Sequence, residues 1–217
     1  MYTACIFDLD GTLLDTIQDI TDAMNAVLSR YHLVNYRAED VRRMVGNGVR
    51  PLIGAATAKE TDPTLLDRVL DKHTELYTRG CMKKTRPYPG VAELLKILQD
   101  RGVKLMVLSN KGEENTARLI AHYFPEIHFL RVYGARTDRP LKPDPAAVKE
   151  LVGEFSLDLG KTLFIGDSDV DILTAQNAGI RSAGVSWGYR SREVLESAGA
   201  AFIADHAEEL RRFILGG

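Results

Sequence analysis

Ile6-Phe7-Asp8-Leu9-Asp10-Gly11-Thr12-Leu13-Leu14-Asp15 is the stretch on which the fold turns. The apolar run 4–7 leading into it reads as a short buried strand, and it ends abruptly in two carboxylates. Asp8 and Asp10 are two residues apart, the strand period, so a continuing strand would set both on one face. Gly11 argues that the strand stops, because glycine permits backbone conformations that a strand excludes. Two carboxylates crowded at a strand's carboxyl end repel each other unless a cation or a proton compensates. The competing reading is a plain strand-to-turn junction in which Asp and Gly serve the turn. The rest of the chain decides between them.

Downstream, Ile17, Ile20, Met24, Val27, Leu28 and Tyr31 recur at helical spacing, which predicts an amphipathic helix over 17–31. Residues 38–45, 48–58 and 62–80 also read as helices. The last has Pro63 in its first turn and Gly80 at its end, the usual start and stop asymmetry. So long a helical run between one strand and the next exceeds a simple crossover. It is read as an inserted helical cap, residues 16–83, on a core formed by 1–15 and 84–217.

Residues 83–89 read as a linker rich in Lys, Arg and Pro, with Lys83, Lys84 and Arg86 forming a solvated hinge. Strands then alternate with helices: helices over 91–101, 113–123, 145–155, 169–178 and 206–215, strands over 103–108, 129–133, 162–165, 182–185 and 201–203. This alternation implies parallel strands with right-handed helical crossovers, a doubly wound, Rossmann-like α/β core.

Composition narrows the classes. The chain has 217 residues, 45% hydrophobic and 27% charged, as expected of a soluble globular protein. A formal net charge of -2 gives no electrostatic reason to expect a nucleic-acid or membrane partner. No apolar N-terminal signal precedes the acidic turn, and no run approaches the ~18 apolar residues of a membrane span. Two cysteines, Cys5 and Cys81, are too few for a disulfide scaffold or a zinc site. The expectation is a cytoplasmic protein, monomer or homodimer. His32, His73, His122, His128 and His206 share no ligand spacing and read as surface or packing residues.

In a doubly wound sheet the ligand lies beyond the carboxyl ends of the strands. The polar residues following the apolar strands are Asp8 and Asp10, then Ser109-Asn110, then Lys142 in Leu141-Lys142-Pro143, then Asp167 and Asp171 in Gly166-Asp167-Ser168-Asp169-Val170-Asp171. That order, D-x-D-G-T, S-N, K-P and G-D-S-x-x-D, resembles the four motifs of the haloacid dehalogenase-like superfamily, and the match spans the whole core. The resemblance implies that Asp8 attacks phosphorus, that Asp10 is the acid/base, and that Ser109, Asn110 and Lys142 hold the phosphate. It also implies Mg²⁺, bound by the Asp8 carboxylate, the Asp10 backbone carbonyl and the Asp167 side chain. Asp171 would act through a water or behind the ligands, and Asp169 caps its helix or faces solvent.

Elementary electrostatics agrees with that cast. An aspartate attacking a phosphate dianion meets repulsion of roughly 8 kcal/mol at ~4 Å and an effective dielectric near 20. Lys142 and a divalent cation are the two candidates to cancel it, and Mg²⁺ suits an oxygen-only site.

The segment Val41-Arg42-Arg43-Met44-Val45-Gly46-Asn47-Gly48-Val49 is similar to the cap segment of phosphoglycolate phosphatases, as are Ser109-Asn110-Lys111 and Trp187-Gly188-Tyr189. The resemblance makes 2-phosphoglycolate the leading substrate among small phosphorylated metabolites. Gly46, Asn47 and Arg50 are its expected cap contacts, and Trp187-Gly188-Tyr189 could line the cleft. Within the superfamily a sugar-phosphate mutase and a pyrophosphatase or nucleotide phosphatase stay open. A receiver-like phosphoacceptor is the reading of another class, but its acceptor follows the third strand and it carries no helical cap. A catalytically dead binding relative is a further alternative.

Overall fold

A computed structural model describes residues 1–57 and 63–216. Its centre is β1 (Ala4–Phe7), every residue of which is buried. Because a strand alternates its faces, Cys5 and Phe7 enter one apolar core while Ala4 and Ile6 enter the other. A strand buried on both faces is continuously apolar, which is why no polar residue interrupts 4–7.

β2 (Leu14–Asp15) follows, then four helices: α1 (Ile17–Arg30), α2 (Ala38–Met44), α3 (Val49–Ala56) and α4 (Pro63–Gly80). The expected helix ends at Ala58 and Asp62 lie outside the described residues. After β3 (Arg86–Pro87) come α5 (Val91–Asp100), β4 (Lys104–Gly112), α6 (Glu113–Tyr123), β5 (Phe129–Ala135), α7 (Ala146–Glu154), β6 (Thr162–Gly166) and α8 (Asp169–Ala178). β7 (Arg181–Val185), α9 (Arg192–Ser197), β8 (Phe202–Ala204) and α10 (Ala207–Leu215) complete the chain. Among the described residues, no helix is long and apolar enough to cross a membrane.

Six strands form one parallel sheet in the order β5-β4-β1-β6-β7-β8. The fold is the doubly wound α/β sheet that the alternation predicts, with the helical insertion after the first strand. Register sets the site: Phe7 lies level with Val107 on one side and Ile165 on the other. The residues one or two beyond these three, Asp8, Ser109 and Asp167, therefore emerge at the same edge.

Three local features differ from the sequence reading. β4 runs on through Ser109, Asn110 and Lys111 to Gly112, with a register shift between Leu108 and Gly112, so those polar residues belong to an irregular strand end. The linker over 83–89 contains β3, which pairs antiparallel with β2: Leu14 faces Pro87 and Asp15 faces Arg86. The two connections to the insertion are thus joined, and Asp19 ties them further by accepting from the Lys84 and Thr85 amides and the Thr85 hydroxyl. Third, α9 is six residues long and buries only Leu195, too little for a periodicity to register.

Candidate active site

Beyond Phe7 the Asp8 amide still donates to Ile165 O, so Asp8 extends the ladder before the chain turns. The turn is closed by the Thr12, Leu13 and Leu14 amides converging on Leu9 O. Gly11 sits at φ 86°, and a Cβ there would overlap the Asp167 carboxylate. A Cβ at Gly188 would overlap the Asp167 side chain as tightly, and Gly11 O with it. The Asp167 side chain lies between two glycines, where it accepts from the Tyr189 amide at 2.6 Å and the Thr12 hydroxyl at 3.3 Å.

Lys142 arrives from the loop after β5. The Asn110 side chain grips its backbone twice, accepting from the Lys142 amide at 2.9 Å and donating to its carbonyl at 3.1 Å. The ammonium is buried, 2.8 Å from Asp8 Oδ1 and 2.6 Å from Asp171 Oδ1. Asp171 is held in turn by a capping box at the start of α8: the Ser168 amide and hydroxyl donate to its Oδ2. The capping geometry therefore aims Asp171 at Lys142, and both of its oxygens are engaged.

Electrostatically this centre is short of positive charge. Asp8, Asp167 and Asp171 are all buried, and one ligand atom from each lies within 4.8 Å of the others, while among the described residues Lys142 is the one ammonium paired with them. Burial pushes the Asp8 carboxyl up against the pull of Lys142, and burial together with Asp171 and Asp8 pushes the Asp167 carboxyl well up. Burial alone would depress the Lys142 ammonium, but Asp171 and Asp8 outweigh it and hold it above its ordinary value. With all three ionised, three carboxylates around one ammonium would leave about two negative charges in a buried, oxygen-only site, which is why the Asp8 and Asp167 carboxyls are pushed up. That donor set and that surplus fit a hard divalent cation.

Asp10 points away from this cluster. Its Oδ1 accepts from the Thr16 hydroxyl at 2.6 Å and its Oδ2 is 2.8 Å from Lys111 Nζ. The Tyr189 hydroxyl sits 2.9 Å from the Thr16 hydroxyl. Asp8 and Asp10 thus have separate cations, Lys142 and Lys111.

A cavity of about 110 Å³ opens over these groups, and Asp8, Asp10, Ser109, Asn110, Lys142 and Asp167 all line it. Its outer wall comes from the insertion: Val45, Gly46, Gly48, Val49 and Leu52 around the α2–α3 loop, and His73 and Tyr77 from α4. Two side chains of the α/β core clasp that loop. Asn110 Nδ2 donates to Gly46 O, and the Arg190 guanidinium donates to Arg42 O and Val45 O.

Of the expected cap contacts, Gly46 lies in the cavity wall, whereas Asn47 and Arg50 do not line it. Asn47 is exposed, and Arg50 turns outward to pair with Asp67 of α4 at 2.8 Å, both side chains well exposed. The Asn110 side chain is spent on Gly46 and Lys142, which leaves its backbone, not its amide group, to face a ligand. Tyr189 lines the cavity, while Trp187 points its indole N–H at Thr12 O. Asp169 is half-exposed near Arg190, and Ser168 caps the helix in its place.

Lys111, His73, Tyr77, Asn115 and Arg190 also line the cavity and are not among the expected site residues. Lys111 is 8% exposed and pairs with Asp10, although nothing about a lysine two residues past Ser109 marks it as buried. His73, expected to be a surface or packing residue, is 3% exposed, stacks on Tyr77 and also lines the cavity. Its signal was spacing: Val69, His73 and Tyr77 recur every fourth residue along one buried face of α4.

Comparison with known proteins agrees with the geometry. A family model described as haloacid dehalogenase-like hydrolase matches residues 5–185. A phosphoglycolate phosphatase of Mesorhizobium japonicum is 37% identical over 202 residues, covering 92% of this chain and 89% of that protein. One from Caulobacter vibrioides is 36% identical over 204 residues, covering 91% and 84%. Among solved structures, a Lactobacillus delbrueckii subsp. bulgaricus protein provisionally named a phosphoglycolate phosphatase superposes with a TM-score of 0.93 at 34% identity, covering 100% of this chain and 99% of that one.

Proposed function

The chain belongs to the haloacid dehalogenase-like hydrolase family and is a phosphatase, and we propose that it hydrolyses a small phosphate monoester, foremost 2-phosphoglycolate, through an aspartyl-phosphate on Asp8. The observation that carries this reading is the Asp8–Lys142 pair at 2.8 Å, buried beside Asp167 at the mouth of a small cavity. Phosphate monoesters hydrolyse extremely slowly on their own, and a covalent intermediate divides the displacement into two easier ones.

In the first step an Asp8 carboxylate oxygen forms a bond to phosphorus as the bond to the leaving oxygen breaks. Asp10 gives that oxygen its proton. In the second step Asp10 takes a proton from water, whose oxygen attacks phosphorus and releases Asp8 and phosphate. Lys142 lowers the charge between carboxylate and phosphate, and the Ser109 hydroxyl and the backbone at Asn110 face the phosphoryl oxygens. Mg²⁺, held by the Asp8 and Asp167 side chains and the Asp10 carbonyl, would supply the rest of the charge neutralisation. Asp171 then belongs to Lys142, because both of its oxygens are already occupied.

The unit formed by 16–83 acts as a cap on the core of 1–15 and 84–217, moving about the paired β2 and β3 and closing when Asn110 and Arg190 seize the α2–α3 loop. Closure excludes bulk water while the phosphoenzyme forms. The names of the relatives support 2-phosphoglycolate as substrate. The test is phosphate release from a panel including 2-phosphoglycolate, a hexose phosphate, a nucleotide and pyrophosphate, with Mg²⁺ and with chelator. The highest kcat/KM is expected for 2-phosphoglycolate, with turnover abolished by chelator. A preference for any other compound in the panel would overturn the substrate assignment.

A further inference from the structure

The helical wall of the cavity carries polar atoms that no described residue satisfies. His73 Nδ1 and Nε2, the Tyr77 hydroxyl and Asn115 Oδ1 are all buried with no hydrogen-bond partner among the described residues. All three residues line the cavity, and each is more than nine-tenths buried, at 3%, 5% and 8% exposure. Unpaired buried polar groups are rare because desolvation is not repaid, so four on one wall of one cavity point to a ligand that supplies the partners.

These groups form a continuous path from the reacting end. Lys111 Nζ is 2.8 Å from Asp10 Oδ2 and 4.5 Å from the centroid of the Tyr77 ring. The Tyr77 ring stacks on His73, centroids 5.9 Å apart and planes 7° from parallel. If Asp10 protonates the leaving oxygen, the rest of the leaving group extends along Lys111, Tyr77 and His73.

We infer that His73, Tyr77 and Lys111 recognise the leaving group, and that the group they select is a short one ending in a carboxylate. The inference rests on the monoester-hydrolase reading and replaces Asn47 and Arg50 as the carboxylate contacts. Tyr77 offers an O–H, the neutral imidazole one N–H, and Lys111 an ammonium whose charge Asp10 shares. Together they make a set of donors with one cation, which suits an anion accepting through two oxygens. Burial, with Lys111 nearby, holds the His73 imidazole down to about 4, so at neutral pH it donates as an uncharged ring. Burial likewise keeps the Tyr77 hydroxyl protonated. The second imidazole nitrogen and Asn115 Oδ1 accept, leaving room for a hydroxyl or a trapped water beside the carboxylate. The small cavity limits the leaving group to a few atoms.

Ethyl phosphate is the matched probe, since it has the size of 2-phosphoglycolate without the carboxylate. The measurement is the ratio of kcat/KM for the two esters in the wild type, Tyr77→Phe and His73→Phe, each variant keeping its ring and the stack. Loss of a donor to a charged oxygen is expected to lower that ratio about ten- to a hundredfold, chiefly through the KM for 2-phosphoglycolate. A ratio unchanged in both variants, or a wild type with no preference between the esters, overturns the inference. A wild type that hydrolyses neither ester refutes the hydrolase reading instead. The recognition site is then decided by calorimetry of 2-phosphoglycolate against ethyl phosphate: selective weakening in the variants supports it, and equal binding sinks it.

Discussion

The two walls of the cavity are built on opposite plans. On the strand-end wall every acidic side chain has a partner: Asp8 and Asp171 share Lys142, Asp167 has Thr12 and the Tyr189 amide, and Asp10 has Thr16 and Lys111. On the helical wall His73, Tyr77 and Asn115 hold polar atoms with no partner among the described residues. Fixed dipoles and charges that need no reorganisation suit the part of a reaction that never changes, the phosphoryl transfer. Open hydrogen-bonding positions suit the part that distinguishes one substrate from another. The first wall should therefore be blind to the leaving group and the second sensitive to it.

The strand-end wall is broken most directly by Asp8→Asn, which keeps size and removes the charge proposed to attack phosphorus. Turnover of 2-phosphoglycolate and of p-nitrophenyl phosphate should fall alike, by more than about 10⁴-fold. The folded state should survive, since one buried carboxylate fewer eases the repulsion around Asp167 and Asp171. Substantial residual turnover, or an acid-stable label trapped on another residue, would remove Asp8 from the role.

The charge surplus gives the next largest effect. A divalent cation that binds only the folded protein stabilises it by about 2.7 kcal/mol at a hundred times its Kd, some 5–10 °C in Tm for a chain of this size. Adding Mg²⁺ to chelator-treated protein should raise Tm by that order in the wild type and hardly at all in Asp167→Asn. The same variant should melt higher than the wild type in chelator, because it sheds uncompensated charge. If Mg²⁺ shifts both proteins equally, the cation lies elsewhere.

His73 tests the helical wall without any substrate. Its folded imidazole is held down to about 4, against an ordinary value near 6.5. A histidine depressed in this way binds fewer protons folded than unfolded. Its neutral burial therefore costs nothing above pH 6.5, and stability is lost as pH falls from there towards 4. The loss approaches about 3 kcal/mol at the acid end, and His73→Phe should flatten that limb of the stability profile. An unchanged acid limb would mean that His73 is solvated and not enclosed with Tyr77.

The contrast between the walls also explains what could be read from the chain. Asp8 and Asp167 stand directly after apolar strands, Ser109 lies in the last residues of another and Lys142 in the loop that follows β5, and a parallel sheet brings such residues to one edge. Their convergence follows from topology, and topology follows from alternation. Asn110 and Asp171 were found in the same way, but their contacts were not: a motif does not say that one amide clasps two carbonyls, or that a helix cap aims a carboxylate at a lysine. The spacing of Val69, His73 and Tyr77 marks a buried face of α4, but that His73 and Lys111 meet at the strand ends depends on how α4 lies over them, a long-range packing that no local pattern encodes. Arg50 was misplaced for the same reason. As the second residue of α3 it was an expected cap contact if it faced the cleft, and only the placement of α4 shows that Asp67 takes it outward.

Arg50 therefore gives the smallest expected effect and the finest test of the comparison. An exposed pair at 2.8 Å, with both side chains more than half open to solvent, contributes about 0.2–1 kcal/mol. Arg50→Ala should cost no more stability than that and should change kcat/KM for 2-phosphoglycolate less than about threefold. Asp67→Ala provides the control. If Arg50 leaves Asp67 and swings into the cavity when substrate binds, removing Asp67 frees it, so Asp67→Ala should raise kcat/KM while Arg50→Ala lowers it more than tenfold. Opposite responses of that kind, confined to 2-phosphoglycolate and absent with ethyl phosphate, would return carboxylate recognition to α3. Equal, small effects of the two substitutions leave the pair as a surface tie between α3 and α4, with selection resting on the wall that α4 presents inward.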